Sequence, residues 1–400
     1  MKILHNISSI DIKHGGPLFS MKIVAEEQSK LGHDVFIIAG RSVDETNQLS
    51  FDNRIKVIIK NCITKFRYIP KWENHIKKEI GTPDIIHTHG IWNYPNYIAN
   101  KYSIKNNVKH IIAPCGMLHK EALIPSFIKK QVAWYLFQKK ILLNSACIHI
   151  KSNHEIKKNI LKFFPKEKIA LIPNPINIQN TKQKSSPKQN LFKNISLKKK
   201  IVFYIGRIHK QKGLKDLLRV WNDISINFPD WILIIAGPDN NGYKNTLINY
   251  IAASKNLNYL CSGNEIVDFK DNINLIMTGP LYGNDKHNLF QYSSLFISPS
   301  DFESFGVTIT EAFAYNLPVV ISKNTPWELI EKEKCGWIIN DKRTNLKKIL
   351  LKAFSLDIKV LKLMGKNSKK IIQNYETEII TNKTLTLYKQ LINKEDFNHS

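Results

Sequence analysis

The chain repeats one rhythm: a short apolar run, a loop bearing Gly or Pro, then a stretch with helical spacing. In the first half, Lys2–Ile7 predicts a strand. A loop holding Gly15-Gly16-Pro17 follows, then a helix over Leu18–Leu31 that stops at Gly32. Further strands are predicted over Asp34–Ala39, Ile55–Lys60, Asp84–His89 and Ile111–Pro114. Residues 176–200 are polar, rich in Lys and Asn, and break the rhythm. They read as an interdomain linker with a little helix in it. A second series predicts strands over Ile201–Ile205, Trp231–Ala236, Asn274–Thr278, Leu295–Ser298 and Pro318–Ser322, with helices over Leu214–Phe228 and Val307–Tyr315. Strands alternating with helices predict parallel sheets covered on both faces. The expected class is therefore α/β, with Rossmann-like domains over 1–175 and 201–377. The last stretch has helical spacing, and its final helix, about 378–400, is expected to pack back onto the first domain.

Composition changes this picture little, and charge changes it more. With 43% hydrophobic and 23% charged residues in 400, the chain is neither disordered nor fibrous. The five cysteines form no C-x-x-C pair, which argues against a disulfide framework or a structural zinc and for a reducing compartment. The N-terminal MKILHNISSI lacks the long apolar core of a signal peptide. No run approaches the roughly 20 apolar residues of a membrane span. The expected location is the cytoplasm, with attachment to the cytosolic face of a membrane at most peripheral.

The 59 Lys and Arg against 33 Asp and Glu give +26, which favours acidic partners: nucleic acid, an anionic membrane face or phosphorylated small molecules. The excess is spread, about +14 over residues 1–180 and about +12 over the rest. No helix-turn-helix, RRM, KH or zinc-finger signature accompanies it, so nucleic acid is not expected as a partner. The stretch Pro125–Leu143 mixes lysines with Phe, Trp and Tyr as interfacial helices do. Its lysines are not cleanly separated on a helical wheel, and a buried helix is the competing reading.

Four loops at predicted strand ends carry candidate chemistry. In Gly15-Gly16-Pro17, two glycines let the backbone approach a ligand, and the helix start behind them favours an anion; a plain tight turn is the alternative. His87 and His89 alternate on a strand and so face one side. They suit a place near substrate, a metal pair lacking an evident third ligand, or satisfied polar positions at a strand end. Gly206-Arg207…Lys212-Gly213 lies between strand and helix and can turn a forked guanidinium and an ammonium toward one diphosphate. It is not a Walker loop, and a solvated basic turn is the competing reading. Glu303-Ser304-Phe305-Gly306 precedes a helix bearing Glu311. Amides at Gly306 and Val307 suit an anion, and two acceptor carboxylates suit hydroxyl groups better than a glycosidase pair.

Together, Gly206-Arg207…Lys212-Gly213 and Glu303-x7-Glu311 resemble the family 4 retaining glycosyltransferases. Gly15-Gly16-Pro17, His87-x-His89, Ile172-Pro173-Asn174-Pro175 and Thr278-Gly279-Pro280 fall in the same order as in that family. The run Thr325-Pro326-Trp327…Cys335-Gly336-Trp337 looks like bacterial members that build surface polysaccharides. The resemblance spans nearly the whole chain and implies the GT-B fold, two Rossmann-like domains facing each other across a deep cleft. It implies a nucleotide-diphosphate sugar as donor, no cofactor, no metal, and a glycan acceptor, in a surface-polysaccharide setting a lipid-linked one. Arg207 and Lys212 would hold the diphosphate, Glu311 the ribose, and Glu303 the donor sugar with Ser304 and the amides around Phe305, Gly306 and Val307. Gly15, Gly16 and Gly279 would approach the donor. His89 would lie near the anomeric carbon, with His87 and His119 toward the acceptor. The family's Pro-Asn-Gly before the linker is replaced by Asn174-Pro175, and an Arg of similar members by Cys115. The competing activities are a nucleotide-sugar epimerase of the same fold and a nucleic-acid-binding protein.

Overall fold

The computed structural model describes residues 1–124, 126–156, 164, 168–176, 191–239, 241–261, 271–341 and 344–393. Its contacts divide the chain into two compact units, one of Met1–Pro175 with Tyr375–Ser400 and one of Ile176–Asn374.

The first unit is built on a seven-stranded parallel sheet of β1 (Lys2–Ile7), β2 (Asp34–Arg41), β3 (Lys56–Asn61), β4 (Ile85–His89), β5 (Lys109–Ala113), β6 (Cys147–Ile150) and β7 (Ile169–Leu171). Their order is β3-β2-β1-β4-β5-β6-β7. Register pairs His5 with His87 and Ile7 with His89 across β1 and β4. Ile3, Ile85, Ile111 and Cys147 form one side of the sheet, packed on Ile380, Leu385 and Leu387 of the C-terminal helix Thr377–Asn393. The C-terminal helix therefore completes the first unit's core.

The second unit repeats the plan with β8 (Lys200–Ile205), β9 (Trp231–Ala236), β10 (Tyr259–Cys261), β11 (Leu275–Gly279), β12 (Leu295–Ser298), β13 (Val319–Ser322) and β14 (Gly336–Ile339). The order is β10-β11-β9-β8-β12-β13-β14. All six residues of β9, WILIIA, are buried, as a central parallel strand covered on both faces requires. The helix Leu214–Ile224 presents Leu214, Leu217, Leu218, Trp221 and Ile224 at helical spacing and buries them. Trp231 stacks on Phe354 at 4.1 Å between ring centroids, where each fully buried side chain contributes about 1.5–3 kcal/mol.

The structure revises several expected boundaries. The first helix starts at Gly16, two residues early, with Pro17 in its first turn, where a missing N–H costs nothing. Of the expected linker, 177–190 lies outside the described residues. Leu191–Lys198 is a helix of the second unit, Phe192 and Ile195 being buried. The expected final helix is described as far as Asn393, and 394–400 lies outside the described residues. Strands β6, β7, β10 and β14, each of three or four residues, have no counterpart in the sequence reading.

Candidate functional site

In an open parallel sheet, ligands bind beyond the carboxyl ends of strands where the order reverses. That point lies between β8 and β12 in the second unit. The loops leaving these strands carry the predicted basic and acidic motifs, and backbone contacts pin them together. The Asp301 amide donates to the Gln211 carbonyl at 2.7 Å. Gly213, at φ +69°, lies so near Pro299 that a Cβ would fall 2.2 Å from its carbonyl oxygen. Only glycine combines that φ with that approach.

This clamp brings Lys212 to Glu303, with Nζ donating to Oε1 at 2.5 Å, while Ser300 Oγ donates to the same oxygen at 2.9 Å. Lys212 and Arg207 were expected to converge on one anion; here Lys212 instead pairs with a carboxylate of the neighbouring loop. The clamp holds the two loops too close for their opposite charges to stay apart. Arg207 is exposed and makes no ion pair among the described residues. The loops after β9 and β11 join the same end: the Gly237 amide donates to the Gly279 carbonyl at 2.7 Å, and the Gly206 amide to the Ala236 carbonyl at 3.0 Å.

Gly306, at φ +81°, caps the helix Val307–Ala314, whose first amides have no acceptor within the helix. Phe305 is buried against Trp327, and its carbonyl accepts from Trp327 Nε1 at 2.6 Å. Its ring is therefore a core group, and only its backbone faces the loop. Ser304 precedes it in the same turn. Glu311, one helical turn into the helix, accepts from Lys286 Nζ through Oε1 at 2.6 Å. Its Oε2 is buried and accepts no hydrogen bond among the described residues.

The first unit's switch point lies between β1 and β4 and has another chemistry. Gly15 (φ +70°) leads into the helix that begins at Gly16. His87 and His89 do share a face, their rings 4.3 Å apart. They join His5 from β1 and His149 from β6 in a buried cluster. Lys151 Nζ also reaches the His149 ring, 3.4 Å from Nδ1 and 3.0 Å from Nε2, and the Ile172 carbonyl sets the direction of the remaining bonds. The Ile172 carbonyl, 2.8 Å away, can only accept, so His149 Nε2 carries the hydrogen. His149 Nδ1 then accepts from His87 Nε2 at 3.1 Å, and His87 Nδ1 accepts from the Tyr388 hydroxyl at 2.6 Å. On the other side, His5 Nε2 donates to Gln28 Oε1 at 2.8 Å, so His5 Nδ1 accepts from His89 Nε2 at 3.0 Å. His89 Nδ1 is left as an acceptor.

Burial holds all four imidazoles neutral: His5 is lowered to about 4, and His87, His89 and His149 lie well below their ordinary value. Lys151, also buried and 3.0 Å from His149 Nε2, is lowered to about 8, and the buried Glu155 is raised to about 7. Ring nitrogens of His5, His87 and His89 lie within 4.8 Å of one another, close enough for a metal. Both nitrogens of His5 and of His87 are already bound within the network, so an ion would have to displace these bonds.

His119 lies after β5, its amide donating to the Gly116 carbonyl at 3.1 Å, and in the same stretch burial pushes the Cys115 thiol up to about 11. Sequence reasoning missed His5, Gln28, His149, Lys151, Tyr388 and Lys286. His149 and Lys151 alternate as His87 and His89 do, which was a usable signal. Tyr388 lies 301 positions from His87, and no local pattern connects them.

Residues 15–180 match the model of the Glycosyltransferase Family 4 family, and residues 186–371 that of the Glycosyl transferases group 1 family. The chain belongs to the family 4 glycosyltransferases and has the GT-B fold. An uncharacterised glycosyltransferase of Haemophilus influenzae is 28% identical over 154 residues, 38% of this chain and 37% of that protein. The first curated relatives are thus matched over 37% to 65% of their length. Sucrose-phosphate synthase from Thermosynechococcus elongatus superposes with a TM-score of 0.74 at 16% identity, covering 99% of this chain and 100% of that one. Anabaena Alr3699/HepE in complex with UDP-glucose gives 0.72 at 16%, covering 97% and 100%.

Proposed function

We propose that the protein transfers a hexose from a nucleotide-diphosphate sugar to a glycan acceptor, with retention of anomeric configuration and without a metal. One observation carries this reading. Four loops of the second unit meet at the β8/β12 switch point and bring Lys212, Glu303 and the start of the helix Val307–Ala314 together. Glycosyl transfer leaves a diphosphate on which charge develops as the bond to the sugar breaks. Arg207, Lys212 and the helix's first amides stabilise that charge as fixed positive ends. Lys212 exchanges Glu303 for phosphate oxygens, and Glu303 is then free to accept from donor-sugar hydroxyls. Glu311, whose Oε2 accepts no hydrogen bond among the described residues, accepts from the ribose. The structure of HepE with UDP-glucose supports a nucleotide sugar as the donor class.

In the first unit, the resemblance gives Gly15 and Gly16 to the phosphates and His89 to the donor sugar, and a neutral imidazole suits a place beside developing positive charge. The acceptor is a lipid-linked glycan of bacterial surface polysaccharide (O-antigen, capsule or exopolysaccharide), met at the cytosolic face of the membrane. The test is a panel of UDP-, GDP- and dTDP-sugars read by thermal shift and by release of nucleotide. One donor class should stabilise the protein and be hydrolysed slowly without acceptor. Conversion of a nucleotide sugar alone into its epimer would replace the transferase reading, and binding of none would remove it.

A further inference from the structure

The stretch after residue 124 was expected to be either an interfacial helix or a buried one. The structure shows both characters on opposite sides. Three consecutive helical segments, Phe127–Ala133, a π-helical turn Trp134–Gln138, and Lys139–Asn144, form one rod. Its inner side sends Ile141 and Leu142 into a core cluster with Ile112 and Ile148, and Trp134 and Phe137 pack against that cluster. Its outer side is apolar as well: Ile128 is 77% exposed, Tyr135 78%, Leu136 74% and Val132 53%. A surface helix of a water-soluble unit normally has a polar outer face.

A second segment, distant in sequence, continues this surface. Phe66 meets Phe137 edge-on at 5.8 Å, and Tyr97 meets the same ring at 6.0 Å. Tyr94 links Phe66 and Tyr68. Phe66, Tyr68, Tyr97 and the neighbouring Ile63 are all exposed. The two segments, residues 63–71 and 124–144, contain Lys65, Lys71, Lys129, Lys130, Lys139 and Lys140 and no Asp or Glu. Glu73, just beyond, faces Lys101 and Lys105. Residues 63–71 lie in the loop after β3, the rod lies in the connection from β5 to β6, and Tyr97 lies on the helix after β4. The rod is tied to the β4 loop directly: the Trp92 amide, three residues after His89, donates to Gln138 Oε1 at 3.0 Å.

We propose that this composite face, aromatic and aliphatic at its centre with lysines among and around it, docks the first unit onto an anionic lipid bilayer and presents the β4 loop to an acceptor embedded there. The inference rests on the transferase reading for what the acceptor is, and on the surface alone for the docking. Exposed apolar side chains of this size gain by entering the headgroup region, aromatic rings favour that depth, and each lysine gains further from anionic lipid. A second copy of the chain fits the face poorly, because a two-fold contact would set these lysines against the same lysines with no carboxylate between them.

The test is co-sedimentation of the full chain with phosphatidylcholine vesicles, with and without about 30 mol % phosphatidylglycerol. Wild type should sediment with the anionic vesicles, and less so as salt is raised. Ile128→Ser/Tyr135→Ser/Leu136→Ser should lower the partition at least about ten-fold. Lys129→Gln/Lys139→Gln/Lys140→Gln should lower it about a hundred-fold on anionic vesicles alone. Both variants alter exposed or half-exposed positions, so unchanged thermal unfolding confirms that they fold. Equal sedimentation of wild type and variants overturns the proposal. So does a dimer that wild type forms and the serine variant loses, without vesicle binding. Vesicle binding without any donor-induced thermal shift would leave the docking intact and remove the transferase reading. A donor shift without vesicle binding would do the reverse.

Discussion

The two sheets share a parallel topology with a single reversal beside their first strand, yet the two reversal points carry opposite electrostatics. At β1/β4 the polar groups project from the strands themselves. They are buried with the core, and burial strips them of charge: four neutral imidazoles pass hydrogen bonds among themselves. At β8/β12 the polar groups project from the loops and helices that follow the strand ends. There, partly exposed to solvent, they meet one another as the pairs Lys212–Glu303 and Lys286–Glu311. Depth along the strand thus decides the chemistry. The first site is sensitive to protons and to the placement of donors, and at the second the proposed diphosphate would compete with the carboxylates for the lysines.

The contrast can be broken most severely at the second site. Arg207→Ala and Lys212→Ala should each lower turnover about 10²–10³-fold with unfolding temperature nearly unchanged, as removal of a group facing developing charge does. Near-normal turnover in steady-state kinetics would remove both from the diphosphate. Acid should act on the first site. The unfolded chain protonates its histidines near 6.5, whereas His5 in the fold does so only at about 4 and its three neighbours well below their ordinary value. Between these values the unfolded state binds more protons. Stability is therefore fully present above about 6.5 and is lost as pH falls toward 4, read as a falling unfolding temperature in a pH series. A flat profile would mean that the cluster is hydrated and charged.

A smaller effect isolates the tautomer chain. Tyr388→Phe removes the hydroxyl that donates to His87 Nδ1 and should cost about 1–3 kcal/mol in denaturant unfolding, since it leaves a buried acceptor unsatisfied. The smallest concerns Lys286→Gln. It loses the Glu311 pair on a partly exposed helix and should change stability by about 1 kcal/mol or less, while altering donor affinity if Glu311 holds the ribose.

Much of this fold was legible because buried parallel strands are written as continuous apolar runs. β9 and β12 fall on the residues where those runs occur. The glycines at 15, 213 and 306 were legible for a related reason, since a positive φ at a strand-to-helix turn leaves little choice of residue. Short edge strands were not legible: three residues such as Tyr259–Cys261 give no period to read. Nor was β11's insertion between β9 and β10, which depends on which edge a crossover returns to.

For the candidate sites, the sequence by itself determined the residue types and the loops that bear them, because local spacing fixes which side chains leave a strand end together. His87 with His89, Arg207 with Lys212, and Glu303 with Glu311 belong to that category. The tertiary structure alone decided the partners. It set Lys212 against Glu303 across 91 positions, Tyr388 against His87 across 301, and Phe66 beside Phe137 on one exposed face. Hydrogen bonds, charge neutralisation by burial and apolar surface all depend on distance through space, and distance along the chain carries that information only within a helical turn or a strand repeat.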